Sequence, residues 1–221
     1  MIPSVVLTIF AAASLTNVFP QIAPHEHYSF SGSNMLAAQI QQGAPADVFA
    51  SANTKLPEQL YDQGLVERPV VFTRNELILI VPKSNPARIH SVFDLRKPGV
   101  KLVVGAAGVP VGDYTRVVLH NLALDDVLAN VVSQETDVRE VLTKVALGEA
   151  DAGFVYVTDA RTVRGQVATI GIRWSAQPIV RYAVAVVKRS RHLAAARAFV
   201  RALIAPGAQR KLRTAGFLAP R

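Results

Sequence analysis

The sequence predicts an α/β protein of two lobes, each a mostly parallel sheet flanked by helices, with the chain crossing between lobes twice. Three observations carry this. Short apolar, β-branched runs alternate with segments of helical periodicity along the whole chain. The 221 residues suffice for two cores, yet no low-complexity tract or shift of composition marks a linker. Two long apolar strands, Glu76–Val81 and Ile179–Val187, offer natural crossing points. Residues 1–81 with 188–221 are therefore expected to form lobe one and residues 82–187 lobe two, with a ligand cleft between them.

Taken in order, Val5–Phe10 is a continuous apolar run suited to a strand covered on both faces. Ala11-Ala12-Ala13-Ser14 comes next, with Ser14 at an expected N-cap; Pro20 and Pro24 hold the next helix to roughly two turns. Tyr28–Phe30 is a short strand, residues 35–42 a helix and Asp47–Ala50 a strand. Leu56–Gln63 is a helix closed by Gly64. After the strand Glu76–Val81 come a short helix at Val92–Leu95 and a strand at Lys101–Gly105. The loop Gly108–Gly112 opens a helix that runs to Leu122. Asp137–Leu147 is a helix, with Val138, Val141, Leu142 and Val145 at helical spacing. Strands at Ala152–Val157 and Ile179–Val187 precede helices at Leu193–Ile204 and Ala208–Thr214.

Composition narrows the chemistry. The chain has no cysteine, which excludes disulfides, thiolate metal sites and thiol nucleophiles. A formal charge of +8 favours anionic partners, and its densest stretch runs from Lys188 to Arg213. The apolar start, Ile2–Ala13, lacks the basic n-region of a signal peptide and is too short to span a membrane. A native leader is expected to be absent from this chain. His25-Glu26-His27 could set two imidazoles on one face of an extended segment, but beside Pro24 it reads as an exposed loop. No nucleophile elbow, zinc-protease motif or P-loop is present.

The informative pattern is a set of small neutral residues at strand-to-helix junctions: Phe10–Thr16, Ser31–Leu36 and Gly108–Asp113. Each alone is ordinary capping. Together, helix N-termini that converge would make an anion site without Lys or Arg.

These segments also carry a resemblance. Phe10-Ala11-Ala12-Ala13-Ser14-Leu15-Thr16 and Gly43–Ala52 resemble the opening signatures of the molybdate-binding proteins of ABC-type importers. Thr136-Asp137-Val138-Arg139 and Gly148–Ala160 match in order and spacing, and the ending from Phe199 to Phe217 is similar as well. The resemblance covers essentially the whole chain and implies a type II periplasmic-binding-protein-like fold. In that family two serines, main-chain N–H groups and a tyrosine hydroxyl hold the oxyanion. Residue by residue, these fall on Ser14, Ser33, Val111, Val138 and Tyr156. Molybdenum would be held as molybdate through those residues, with no direct metal ligand. Two departures stand out: the segment between Leu15 and Phe30 is short, and Val111 sits where a smaller residue is common.

A fully deprotonated tetrahedral dianion has only acceptors, so its pocket needs only donors. None of the five positions is Asp or Glu, which argues against a protonated oxyanion such as hydrogen phosphate. About seven charge-assisted hydrogen bonds of roughly 1.5–3 kcal/mol each, less dehydration, suit micromolar or tighter binding. The resemblance implies an extracytoplasmic monomer that binds molybdate or tungstate. It would deliver the ion to a permease with its ATPase subunits and use neither a cofactor nor nucleic acid. The alternatives are another oxyanion such as sulfate, a two-lobed enzyme, or the effector-sensing domain of a regulator. An enzyme would need an acid–base pair in the cleft, and a regulator a helix-turn-helix.

Overall fold

A computed structural model describes residues 5–220. The chain divides into two compact units: the described residues through Asn75 together with those from Val180 onward, and Glu76–Ile179.

In unit one, β1 (Thr8–Ala12) leads through a 3-10 turn at Ala13–Leu15 into α1 (Phe19–Ile22). Then come β2 (His27–Ser31), α2 (Ser33–Gln41), β3 (Val48–Ser51), α3 (Lys55–Asp62) and β4 (Val70–Asn75). Unit two runs β5 (Leu77–Pro82), β6 (Leu102–Gly105), α4 (Pro110–Asn121), β7 (Val131–Glu135), α5 (Val138–Ala146), β8 (Ala152–Tyr156), α6 (Val157–Ala160) and β9 (Val167–Ile170). The chain then returns to unit one with β10 (Val180–Val186), α7 (Leu193–Ile204) and α8 (Pro206–Ala215).

The two sheets share one plan. Unit one has strand order β2-β1-β3-β10-β4 and unit two β7-β6-β8-β5-β9. In each, three parallel strands are followed by an antiparallel fourth. The first strand of each trio lies between the other two, so the strand order reverses beside it. At such a switch point the carboxyl ends of parallel strands leave room for a ligand.

The unit boundaries differ from the expected ones. Glu76–Val81 is expected in lobe one, but β5 pairs with β8 and β9 and belongs to unit two. Ile179–Val187 is expected in lobe two, but β10 pairs with β3 and β4 and belongs to unit one. Hydrogen bonding, not apolar length, decides membership, so the chain crosses before each strand.

Three strands have no counterpart in the sequence reading: β4, β7 and β9. All three are edge strands, and β7 alternates between half-buried and exposed residues up to a buried Glu135, where β8 is buried throughout. Of the four edge strands only β2 is expected, at Tyr28–Phe30, whereas every central strand is marked by an apolar run.

The first strand also lies later than Val5–Phe10. Val5 and Val6 are exposed, while Ala11 and Ala12 are buried in the sheet, paired with Phe30 and Ser31 of β2. Glu26 and Asp47 accept the backbone N–H groups of Leu7 and Thr8 at the strand's start. Glu26 thus has a structural task. Among the described residues there is no group of three or more His, Asp or Glu that could hold a metal ion.

Unit one packs on both sheet faces. Phe10, Leu36, Ile40, Phe49 and Leu60 form one cluster under α2 and α3. Phe19, Phe72, Tyr182, Phe199 and Phe217 meet ring to ring on the aromatic side. In unit two, α5 lies so close to β8 that a Cβ at Gly153 would come within 2.8 Å of Val141 Cγ1.

Candidate oxyanion site

Each unit gathers its candidate residues at the carboxyl ends of its parallel strands. In unit one Ser14 follows β1 and Ser33 follows β2, and these strands are neighbours. Ser14 is not an N-cap, contrary to expectation. It lies inside the 3-10 turn Ala13–Leu15, whose N-cap position is Ala12. Pro20 enters α1 at its first turn, where a missing N–H costs nothing, so the separate helix starts only at Phe19. Ser14 is nonetheless buried, and its Oγ lies 2.9 Å from Tyr182 Oη. Asn75 Nδ2 donates to the same phenol oxygen at 3.4 Å. This allows a directed chain: the amide feeds the phenol, the phenol proton goes to Ser14, and the Ser14 proton points onward.

Ser33 is the first residue of α2 and is also buried. Its Oγ accepts the Ala52 N–H at 3.1 Å, just past the end of β3. One hydroxyl thus stitches the ends of β2 and β3 together and keeps its own proton to give. Beside it, Asn53 Oδ1 accepts from Ser51 Oγ and from the Leu56 N–H, which fixes the entry to α3.

In unit two, Val111 is the second residue of α4, beyond the end of β6. The first N–H groups of a helix have no intrahelical acceptor. Two glycines bring this helix end hard against the strand. A Cβ on Gly112 would lie 2.2 Å from Gly105 O and 2.3 Å from Ala106 O. Arg116 Nη1 then donates to the carbonyls of both Gly105 and Gly112, at 3.1 and 2.8 Å.

Val138 opens α5 after β7. The N-cap Asp137 accepts from the Arg139 N–H at 2.7 Å and from the Glu140 N–H at 3.2 Å. Glu140 reaches back to the Thr136 N–H and hydroxyl. The cap therefore takes the second and third N–H groups of the helix and leaves that of Val138. Burial pushes the Asp137 carboxyl up, against the pull of those two N–H groups.

Tyr156 ends β8 and is buried. Three residues on, Asp159 is fully buried with Arg139 Nε 2.9 Å from Oδ1. Desolvation drives the Asp159 carboxyl up to about 7, outweighing the charge of Arg139.

The structure thus brings Ser14 and Ser33 to one sheet end, and Val111, Val138 and Tyr156 to the equivalent end of the other sheet. Tyr182 and Asn75, behind Ser14, escape the sequence reading. Tyr182 is 168 positions from Ser14, and no local signal links the two.

Residues 7–218 match the family described as bacterial extracellular solute-binding protein. The chain belongs to that family. Among these solute-binding proteins it is 38% identical to the molybdate-binding protein ModA of Mycobacterium tuberculosis, over 97% of this chain and 85% of the relative. It is 32% identical to ModA of Escherichia coli, over 96% of this chain and 88% of that one. The periplasmic molybdate-binding protein of Azotobacter vinelandii superposes with a TM-score of 0.85 at 22% identity, covering 97% of this chain and all of that one. This last likeness bears on the fold: two five-stranded sheets flanked by helices.

Proposed function

We propose that this solute-binding protein captures molybdate, or the closely similar tungstate, and delivers it to an ABC importer. Ser14 and Ser33 of unit one and Val111, Val138 and Tyr156 of unit two would supply the donors. The observation that carries the proposal is the capping of α5. Asp137 takes the N–H groups of Arg139 and Glu140 and leaves that of Val138, one donor set out for an acceptor-only ligand. The Ser33 hydroxyl, already an acceptor from Ala52, is in the same position to donate. The names of the relatives, molybdate-binding in M. tuberculosis and E. coli, support the choice of ion.

The role is binding rather than catalysis, because the donors are hydroxyls and backbone N–H groups that hold an ion without transforming it. Neutral donors also let the ion leave again. The partners would be a permease and its ATPase subunits, the setting extracytoplasmic, and the protein a monomer without cofactor.

Titration calorimetry with molybdate, tungstate, sulfate and phosphate tests this. Molybdate and tungstate should bind with micromolar or tighter affinity, about −8 kcal/mol or better, and sulfate and phosphate more weakly. Preference for phosphate or sulfate would replace the proposed ligand.

A further inference from the structure

The net charge of the protein sits on one unit. Unit two carries eleven Lys or Arg and eleven Asp or Glu; unit one carries thirteen and five. Ten of those thirteen lie from Arg181 onward, and no acidic residue follows Asp159 anywhere in the chain. The proposed oxyanion donors make no use of this charge, since none of the five is cationic.

Lys188, Arg189, Arg191, Arg197, Arg201, Arg210, Lys211 and Arg213 are all exposed. Among the described residues only Arg197 of these eight pairs with a carboxylate, that of Glu67. Along α7, Arg197, Arg201 and Ile204 recur at helical spacing and so share one stripe. Ile204 closes that stripe with 46% of its surface exposed, at the turn into α8. Arg210 and Arg213 repeat the spacing on α8. Just before α7, Arg189, Arg191 and His192 line a recess of about 380 Å³ with Gly43 and Asp47.

We infer that the C-terminal part of unit one, from Lys188 through Arg213, is a contact surface for an anionic phospholipid bilayer. A cationic helical stripe ending in an exposed aliphatic side chain suits a charged headgroup layer over an apolar interior. The cations are long, solvated and spread over two helices and a loop. They match a diffuse field of phosphates better than a shaped acidic pocket on another protein. Such a contact would keep a solute-binding protein near the membrane in which its permease lies.

The test is co-sedimentation with vesicles, using the full chain and a triple variant, Arg201→Glu with Arg210→Glu and Arg213→Glu. The wild type should bind vesicles of phosphatidylcholine mixed with phosphatidylglycerol but not phosphatidylcholine alone. Binding should be lost as salt shortens the Debye length from about 10 Å toward 3 Å. The triple variant should bind about tenfold more weakly or worse. Its molybdate affinity should be unchanged, which separates failure of this inference from failure of the proposed ligand. A thermal melt of the variant, with an Arg→Gln triple as a second form, controls for folding. Absence of wild-type binding, equal binding to neutral vesicles, or undiminished binding by a folded triple variant would overturn the inference. So would capture by an acidic protein without any vesicle binding.

Discussion

Arg139 and Asp159 form an ion pair at 2.9 Å that ties the first turn of α5 to α6, and the carboxylate is wholly buried. The two segments it joins are those that carry Val138 and Tyr156. The pair therefore fixes the spacing between two of the proposed donors in unit two. It is also a poised one, since burial holds the Asp159 carboxyl up to about 7 despite its partner.

That shift sets a pH dependence of stability. The folded-state pKa of Asp159 lies above the ordinary carboxylate value of about 3.9, so the folded protein holds this proton more tightly than the unfolded chain does. The resulting stabilisation is fully present below about pH 4 and is lost as pH rises through about 7. Asp159→Asn removes the titration while keeping the shape. Wild-type stability relative to this variant should therefore decline between pH 4 and pH 8, read from urea midpoints of both. A difference that grows with pH would show that Arg139 outweighs desolvation.

Ser14→Ala should weaken molybdate binding by roughly 1.5–3 kcal/mol, about ten- to a hundred-fold, through loss of one charge-assisted bond. Tyr182→Phe leaves Ser14 in place and removes only the group behind it, 2.9 Å away. Its cost should be smaller, about 0.5–1.5 kcal/mol. Lys188→Ala should change affinity little at moderate salt. Calorimetry on the three variants decides; a Lys188→Ala loss equal to that of Ser14→Ala would point to diffuse charge instead.

Val138→Pro is a test of a single N–H. Proline is favoured at the first helical position, so the backbone loses the donor without losing the helix, while the buried Val138 side chain is exchanged for a ring. The preceding residue, Asp137, has φ −153° and ψ 174°, an extended conformation that proline tolerates in its neighbour. Binding should weaken by roughly 1.5–3 kcal/mol, and Val138→Ala, which trims the buried side chain but keeps the N–H, should leave affinity nearly unchanged. Unchanged affinity in Val138→Pro would remove Val138 from the donor set.

Gly112→Ala should disturb α4 itself. Its Cβ would fall 2.2 Å from Gly105 O, a backbone atom that cannot swing aside. A loss of about 1–3 kcal/mol in unfolding free energy is expected, with weaker molybdate binding as the Val111 N–H shifts. Gly165→Ala, where nothing lies within 4 Å, is the matched control.

Much of this fold is legible in the sequence because the central strands are largely apolar and the helices after them are regular. The helix at Asp137–Leu147 can be read because Val138, Val141, Leu142 and Val145 repeat at helical spacing, although Asp137 proves to be its N-cap and not its first residue; Val138 as a donor comes from the resemblance alone. Ser14 is harder. Three alanines before it read as a junction, whereas small side chains at Ala11 and Ala12 simply extend β1 beside β2. The unit boundaries are hidden for a different reason. Whether β5 and β10 belong to one sheet or the other depends on partners about 75 to 135 positions away in the chain, such as Phe154 for Leu79 and Ala50 for Val184. The shared strand order of the two units leaves no repeated sequence, because topology constrains pairing and burial but not residue identity.

The placement of β10 also imposes an order on the birth of the molecule. β3 and β4 do not pair with each other; both pair with β10, which stands between them. All of Glu76–Ile179 must be synthesised before that strand exists. Unit two is one uninterrupted stretch and has every strand of its sheet first. Unit one meanwhile waits with β1, β2 and β3 open along one edge and β4 without a neighbour. An open apolar edge is a template for wrong pairing. Release of Val180–Val186 from the ribosome is thus the event that closes the earlier-made half, and chains truncated before it should aggregate rather than fold.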